Sequence, residues 1–196
     1  MEKKENKKEA LKWLAIIVIL GFLIVTGLHK PIIAGAQKLI LSTGFIQPDI
    51  TEGKIVTNAV DLNILLVSES GDKINLKNFS EKALFINFWA TWCPPCRAEM
   101  PGIQTLFEKV GKENIKFVMI TSDRDFNTAI AYKKKNGFTF PIYQLQSQLP
   151  MELDSQILPS TYVINSNRQI VTKEQGMAQY DSAKFESFIR RLIANQ

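Results

Sequence analysis

Hydrophobic positions follow two regimes along the chain. Near the start, Trp13 to Leu28 runs without a charged residue. Counting Ala10 and Leu11, with Lys12 snorkelling toward headgroups, the stretch approaches the ~20 apolar residues that cross a bilayer as a helix. From about residue 60 the apolar runs become short and change in kind. Ile64–Val67 and Lys73–Leu76 flank Ser70-Gly71-Asp72, a hairpin signal. Ala83–Trp89 is almost continuously apolar, as a strand buried on both faces would be. A helix from about Pro94 to Val110 and the strand Ile115–Thr121 follow. Strand, helix and strand make a βαβ unit, with parallel strands and a right-handed crossover.

Further on, Asp125 is placed to cap a helix that runs to about Lys135 and stops before Gly137. Phe140–Tyr143, Thr161–Ile164 and Gln169–Thr172 read as short strands. Phe185, Phe188, Ile189, Leu192 and Ile193 recur at helical spacing behind Asp181, the expected N-cap, and predict an amphipathic helix over one face of the sheet. The resulting organisation is a basic start over 1–12, an anchor over 13–30, a juxtamembrane helix and linker over 31–58, and an α/β domain over 59–196. Pro31 suits the first turn of the juxtamembrane helix, whose apolar positions are Ile32, Ile33, Ala36, Leu39 and Ile40.

Charge adds an orientation. Lys3, Lys4, Lys7, Lys8 and Lys12 precede the apolar stretch, and only His29 and Lys30 follow it closely. The positive-inside rule then puts the N-terminus in the cytoplasm and everything after residue 30 outside it, as a single-pass protein. A cleaved signal sequence with a site at Ala34-Gly35-Ala36 exports the domain equally well and stays open. A buried core helix fits poorly, because the stretch has no polar face. The net charge of +5 sits largely at this end. No basic stripe with interleaved aromatics follows residue 30, so nucleic acid is not an expected partner. Two cysteines and one histidine exclude a disulfide-stapled scaffold and leave no conventional zinc constellation, so no metal is expected.

Those two cysteines carry the chemistry. Cys93-Pro94-Pro95-Cys96 stands just after a buried strand and at the start of a helix. Two intervening residues across a first helical turn let the sulfurs approach bonding distance. The helix N-terminus offers unpaired N–H groups and partial positive charge to the first sulfur, which lowers its pKa. Cys93 is then the exposed attacking thiolate and Cys96 the more buried resolving thiol; the pair itself is the redox centre, with no separate cofactor. The Pro-Pro insert costs little where helix N–H groups have no partner anyway. Trp92 borders the site.

The segment Phe88-Trp89-Ala90-Thr91-Trp92-Cys93-Pro94-Pro95-Cys96-Arg97-Ala98-Glu99-Met100-Pro101 resembles the thioredoxin superfamily, and within it the TlpA/ResA-like branch of membrane-tethered disulfide reductases. The resemblance covers about residues 60–196. It implies a thioredoxin-like fold, a central mixed sheet flanked by helices, with an N-terminal hairpin extension and an insertion around 125–145. It also implies a cis-proline opposite the cysteines, at Pro159, with Leu158 offering its backbone to an extended substrate strand. With Trp92, Pro94 and Pro95, these two form the expected substrate-binding set. Where ordinary thioredoxins carry a buried Asp, this chain has Asn87, which cannot exchange a proton. Glu99, one helical turn beyond Cys96 and matched by a Glu in the ResA-like branch, is the candidate to take the Cys96 proton. A solvated glutamate on the helix face is the plain alternative.

The implied activity is disulfide reduction on protein substrates, among them apocytochrome c before haem attachment, fed by a transmembrane thiol carrier. Three alternatives compete. An oxidase or isomerase would use the same pair in the other direction. A metal-delivery or adaptor module would want a downstream His, which is missing after residue 29. A thiol peroxidase would want a PxxxTxxC spacing, which the residues around Thr91 lack.

Overall fold

A seven-stranded mixed sheet carries the fold in the computed structural model of the chain. The structure describes residues 2–26, 35–36, 39–41, 46–48, 59–79, 82–153 and 156–194. In chain order the elements are α1 (Glu2–Thr26), β1 (Leu65–Ser68), β2 (Lys73–Asn75), a 3-10 turn (Leu76–Phe79), β3 (Ala83–Trp89), α2 (Pro94–Val110) and β4 (Ile115–Thr121). Then come α3 (Phe126–Lys135), β5 (Ile142–Leu145), β6 (Ser160–Ile164), β7 (Ile170–Gln175) and α4 (Ala183–Ala194). The strands lie side by side as β2-β1-β5-β4-β3-β6-β7.

β3 pairs parallel with β4, from Ala83↔Ile115 to Trp89↔Thr121, as a βαβ unit requires. On its other side it pairs antiparallel with β6, with Asn87 opposite Thr161. Every residue of β3 is buried, because both faces of the sheet are covered. Alternation sorts its side chains. Phe85 and Trp89 join the core under α2 and α4, with Met100, Ile103, Leu106, Phe117, Phe185 and Ile189. Leu84, Ile86 and Phe88 face the other way, with Val60, Leu62, Ile64, Leu66, Leu76 and Tyr162. Asn87 has the same parity as Phe85 and Trp89, so the strand delivers one polar side chain to the face where α2 lies.

The expected hairpin is β1 and β2, antiparallel, with Gly71 at φ 88° in the connecting turn, a conformation that favours glycine. It lengthens the sheet beyond β5, which pairs antiparallel with β1 and parallel with β4. Asp125 caps α3 as expected, its carboxylate accepting from Asn127 N.

Two expectations need correction. Asp181 is not the N-cap of α4. The helix starts at Ala183, Phe185 N donates to Ser182 Oγ at 3.3 Å, and Asp181 lies against Gly102 of α2. β5 starts at Ile142 rather than Phe140, because Phe140 is spent in the core under α2 before pairing with β4 begins at Met119↔Ile142.

The expected anchor is described only in part. Among the described residues no helix is long and apolar enough to cross a membrane. α1 spends its first half on the lysine-rich start and is uncharged only from Trp13 to Thr26. At ~1.5 Å per residue that uncharged part measures ~21 Å, short of the ~30 Å hydrocarbon core. The end of the expected anchor at 27–30, and most of the expected juxtamembrane helix and linker, lie outside the described residues. Two parts of the linker region do touch the domain: Leu41 is buried, and Ile46 O accepts from Gln179 N at 2.8 Å.

Candidate active site

The chain leaves the sheet at Trp89 and must enter α2 within a few residues. Ser122 N donates to Trp89 O at 2.8 Å, which carries the β3–β4 pairing one step past the strands. Cys93 N then donates to Ala90 O at 3.2 Å and closes a tight turn. Thr91, inside that turn, gives both its donors to Asp123: N to Oδ2 at 3.0 Å and Oγ1 to Oδ1 at 2.7 Å. Asp123 Oδ2 also accepts from Thr121 Oγ1 at 2.7 Å.

The turn sets Cys93 as the N-cap of α2, in extended conformation, with its Sγ accepting from Cys96 N at 3.2 Å. Pro94 and Pro95 fill the first helical positions, where an absent N–H leaves nothing unsatisfied. Cys93 and Cys96 form a disulfide, their Cα atoms 5.3 Å apart. The expected asymmetry holds in direction but not in degree: Cys96 is fully buried, and Cys93 is only 4% exposed. In the disulfide the first cysteine leaves only a narrow edge open to solvent.

That edge opens into a groove of about 440 Å³ lined by Trp92, Cys93, Pro94, Pro95, Ser122, Gln156 and Leu158. Trp92 is 66% exposed on its rim. The Leu158–Pro159 peptide is cis, and Pro159 is buried just before β6, its carbonyl accepting from Gly176 N at 2.8 Å. All of the expected substrate-binding set except Pro159 therefore lines one groove with Cys93. Ser122 and Gln156 join it with no sequence signal of their own.

Glu99 lies one turn beyond Cys96 on α2 and is buried at 1% exposure, so the solvated-face alternative is wrong. Asn87 Nδ2 donates to its Oε1 at 2.8 Å and Ala178 N to its Oε2 at 3.2 Å. The same Asn87 Nδ2 reaches Thr161 Oγ1 at 2.8 Å, across the β3–β6 pair. Burial pushes the Glu99 carboxyl up to about 8, against these two hydrogen bonds, which act to lower it. Burial, reinforced by Glu99, also raises the Tyr180 hydroxyl well above its usual range. A cavity of about 120 Å³ lies on this flank of α2, between Glu99, Ala98 and Gly102 and the Ala178–Asp181 stretch, with Leu41 on its wall. Among the described residues no cluster of three or more His, Cys, Asp and Glu could hold a metal ion.

A redox pair at a helix start, a groove beside a cis-proline and a buried carboxyl one turn behind the second cysteine suit thiol–disulfide exchange. The Redoxin family model matches residues 47–188. The chain belongs to the Redoxin family. Among its Redoxin relatives is the thiol-disulfide oxidoreductase ResA of Bacillus cereus, 24% identical over 162 residues, covering 82% of this chain and 91% of the relative. ResA of Geobacillus kaustophilus is 25% identical over 163 residues, covering 81% and 82%. Solved structures agree on the fold. A putative thiol:disulfide interchange protein DsbE from Chlorobium tepidum matches with a TM-score of 0.61 at 18% identity, over 71% of this chain and 99% of the other. The thioredoxin domain of a Bacteroides vulgatus thiol-disulfide oxidoreductase matches at 0.56 and 15% identity, over 71% and 99%. This Redoxin is thus ResA-like, with a thioredoxin-like α/β fold, and is a thiol–disulfide oxidoreductase.

Beyond the cysteines, sequence reasoning missed Asp123, Thr161 and Ala178. Thr161 becomes visible only through the β3–β6 register, and Ala178 contributes a backbone N–H that no side-chain pattern signals.

Proposed function

We propose that the protein is a membrane-tethered, extracytoplasmic disulfide reductase whose catalytic residues are Cys93, Cys96 and Glu99. The reduced pair starts the cycle. The Cys93 thiolate attacks one sulfur of a substrate disulfide, forming a mixed disulfide and expelling a substrate thiolate. Cys96 gives its proton to Glu99 and attacks the Cys93 sulfur, which breaks the mixed disulfide and releases the second substrate sulfur. Two electrons pass to the substrate, and the Cys93–Cys96 pair is left oxidised. A transmembrane thiol carrier would return it to the dithiol.

The observation that carries this reading is the buried Glu99 carboxyl, one turn behind Cys96 and pushed up to about 8. Near neutral pH a carboxyl in that range is ionised in part, and its ionised form is a base strong enough to take the Cys96 proton. The groove beside Leu158 and Pro159 suits an extended polypeptide paired by backbone hydrogen bonds. By its resemblance to the ResA-like branch, the substrate class includes apocytochrome c before haem attachment. The tether rests on α1, whose Trp13, Ile17, Val18, Phe22 and Val25 are all more than half exposed, an apolar surface on every side that water does not favour.

The test is the reduction potential of the full chain in detergent, poised in thiol redox buffers. A value below about −230 mV supports a reductant, and one near about −120 mV makes the protein an oxidant with the same site. Cys93→Ser should abolish exchange. Cys96→Ser should accumulate a mixed disulfide through Cys93, seen by mass. Full activity in Cys93→Ser overturns the assignment.

A further inference from the structure

Asp123 is buried at 7% exposure and takes no part in the mechanism above. Its carboxylate nonetheless collects three hydrogen bonds, two of them from Thr91, in the turn that delivers Cys93. A carboxylate held by that many donors is a fixed strut rather than a surface charge. It stands just past the end of the β3–β4 ladder, where it takes the Thr91 N–H of the turn.

We propose that Asp123 is a positioning residue for the redox step: through Thr91 it holds the turn that sets the Cys93 sulfur over the first turn of α2. The chain of contacts is continuous. Thr121 and the backbone of Asp123 fix the carboxylate at the end of β4, where Asp123 N donates to Thr121 Oγ1 at 3.1 Å. The carboxylate fixes Thr91 on both its donors. Thr91 lies between Ala90, whose carbonyl accepts from Cys93 N, and Trp92, which forms the rim of the groove. Only with that turn closed does Cys93 Sγ meet Cys96 N at 3.2 Å, where the helix N-terminus stabilises a thiolate. The latch therefore acts twice, on the ionisation of the attacking sulfur and on the placement of Trp92.

Among the described residues, Cys96, Arg97 and Glu99 follow the sulfur on α2, Arg124 stands beside Asp123, and α3 adds Tyr132, whose ring centroid lies 5.6 Å from the Arg97 guanidinium. The described part of the loop before β6 lines the groove with Gln156 and Leu158, neither of which titrates. Asp123 is itself negative, and its charge alone would disfavour a nearby thiolate. Its charge and its positioning thus oppose each other, and an Asp123 substitution by itself would mix them. Thr91 separates them, because Thr91→Val removes one hydrogen bond and leaves the carboxylate in place.

The inference rests on Cys93 being the attacking thiol, so the experiment reads that first. The full chain in detergent is reduced, and the Cys93 thiolate is titrated by its ultraviolet absorbance and by its alkylation rate, with Cys93→Ser as the blank. In Thr91→Val the Cys93 titration should move to higher pH, and the exchange rate at pH 7 should fall about threefold to tenfold, the effect of one lost hydrogen bond. Thr91→Ser, which keeps the hydroxyl, should restore both. In an Asp123→Ala background, Thr91→Val should change neither, since its partner is already gone. If Cys93→Ser exchanges as well as the natural protein, the assignment of the attacking thiol fails. If the natural protein exchanges through Cys93 but Thr91→Val titrates like it, or titrates lower, the latch fails alone. A Thr91→Val effect of equal size with and without Asp123 overturns it as well.

Discussion

At the scale of single residues the site divides into what a motif can announce and what only packing can. Cys93 and Cys96 announce themselves, because their spacing and their place at a strand-to-helix junction have one economical chemical use. Glu99 stands on the correct helical face, but its sequence gives no sign of whether water reaches it. Burial decides that, and the carboxyl at about 8 follows from it. The consequence has a definite sign. A carboxyl raised in the folded state above its unfolded value contributes stability that is fully present below about pH 4.5 and is lost as the pH rises toward about 8. Urea unfolding of the oxidised protein should therefore show stability falling across that window, and Glu99→Gln should remove most of the slope. The same variant should slow resolution of the mixed disulfide and flatten its pH profile. An unchanged profile would return Glu99 to a structural role. Asn87 was legible only as a departure from the thioredoxin pattern. That it ties Glu99 to Thr161 needed the strand register.

At the scale of elements, the periodicities placed β3, α2, β4 and α3 within a residue or so of where they lie. These elements are long or capped, and each has a face that must be buried. The expectation was poorer where tertiary contacts choose the boundary, as at the start of β5 and the cap of α4. Two substitutions probe elements away from the groove. Asp125→Ala removes the side chain that accepts from Asn127 N at 3.0 Å, and should cost about 0.5–2 kcal/mol in urea unfolding while leaving exchange intact. Gly111 ends α2 with ordinary helical dihedrals, so its need for glycine is spatial: an added Cβ would fall 2.5 Å from the Phe107 carbonyl oxygen and press on its ring. Gly111→Ala should be destabilising by about 1–3 kcal/mol, the range for a small overpacking, and calorimetry checks it. Equal stability of the alanine variant would mean that the end of the helix shifts without cost.

At the scale of the whole molecule, the chain joins a redox domain to an apolar helix with a lysine-rich start. Full-length protein should float with phospholipid vesicles in a density gradient. Replacing Ile17 and Val18 with Asp should return it to the soluble fraction with its exchange activity intact. Activity on small disulfides should not depend on which fraction holds the protein, since the groove is built wholly from the domain. The sheet order has one more consequence. β3 lies between β4 and β6, with two strands on one flank, the edge strand β7 included, and four on the other, the edge strand β2 included. Its amides are shielded above and below and paired on both sides, so they should exchange with deuterium only when the whole domain opens, after those of β2 and β7. The cysteine turn springs from the end of that strand. Reduction should therefore quicken exchange only around residues 90–96 and leave the slowest set unchanged, so that the switch is thrown on a part of the protein that does not itself open.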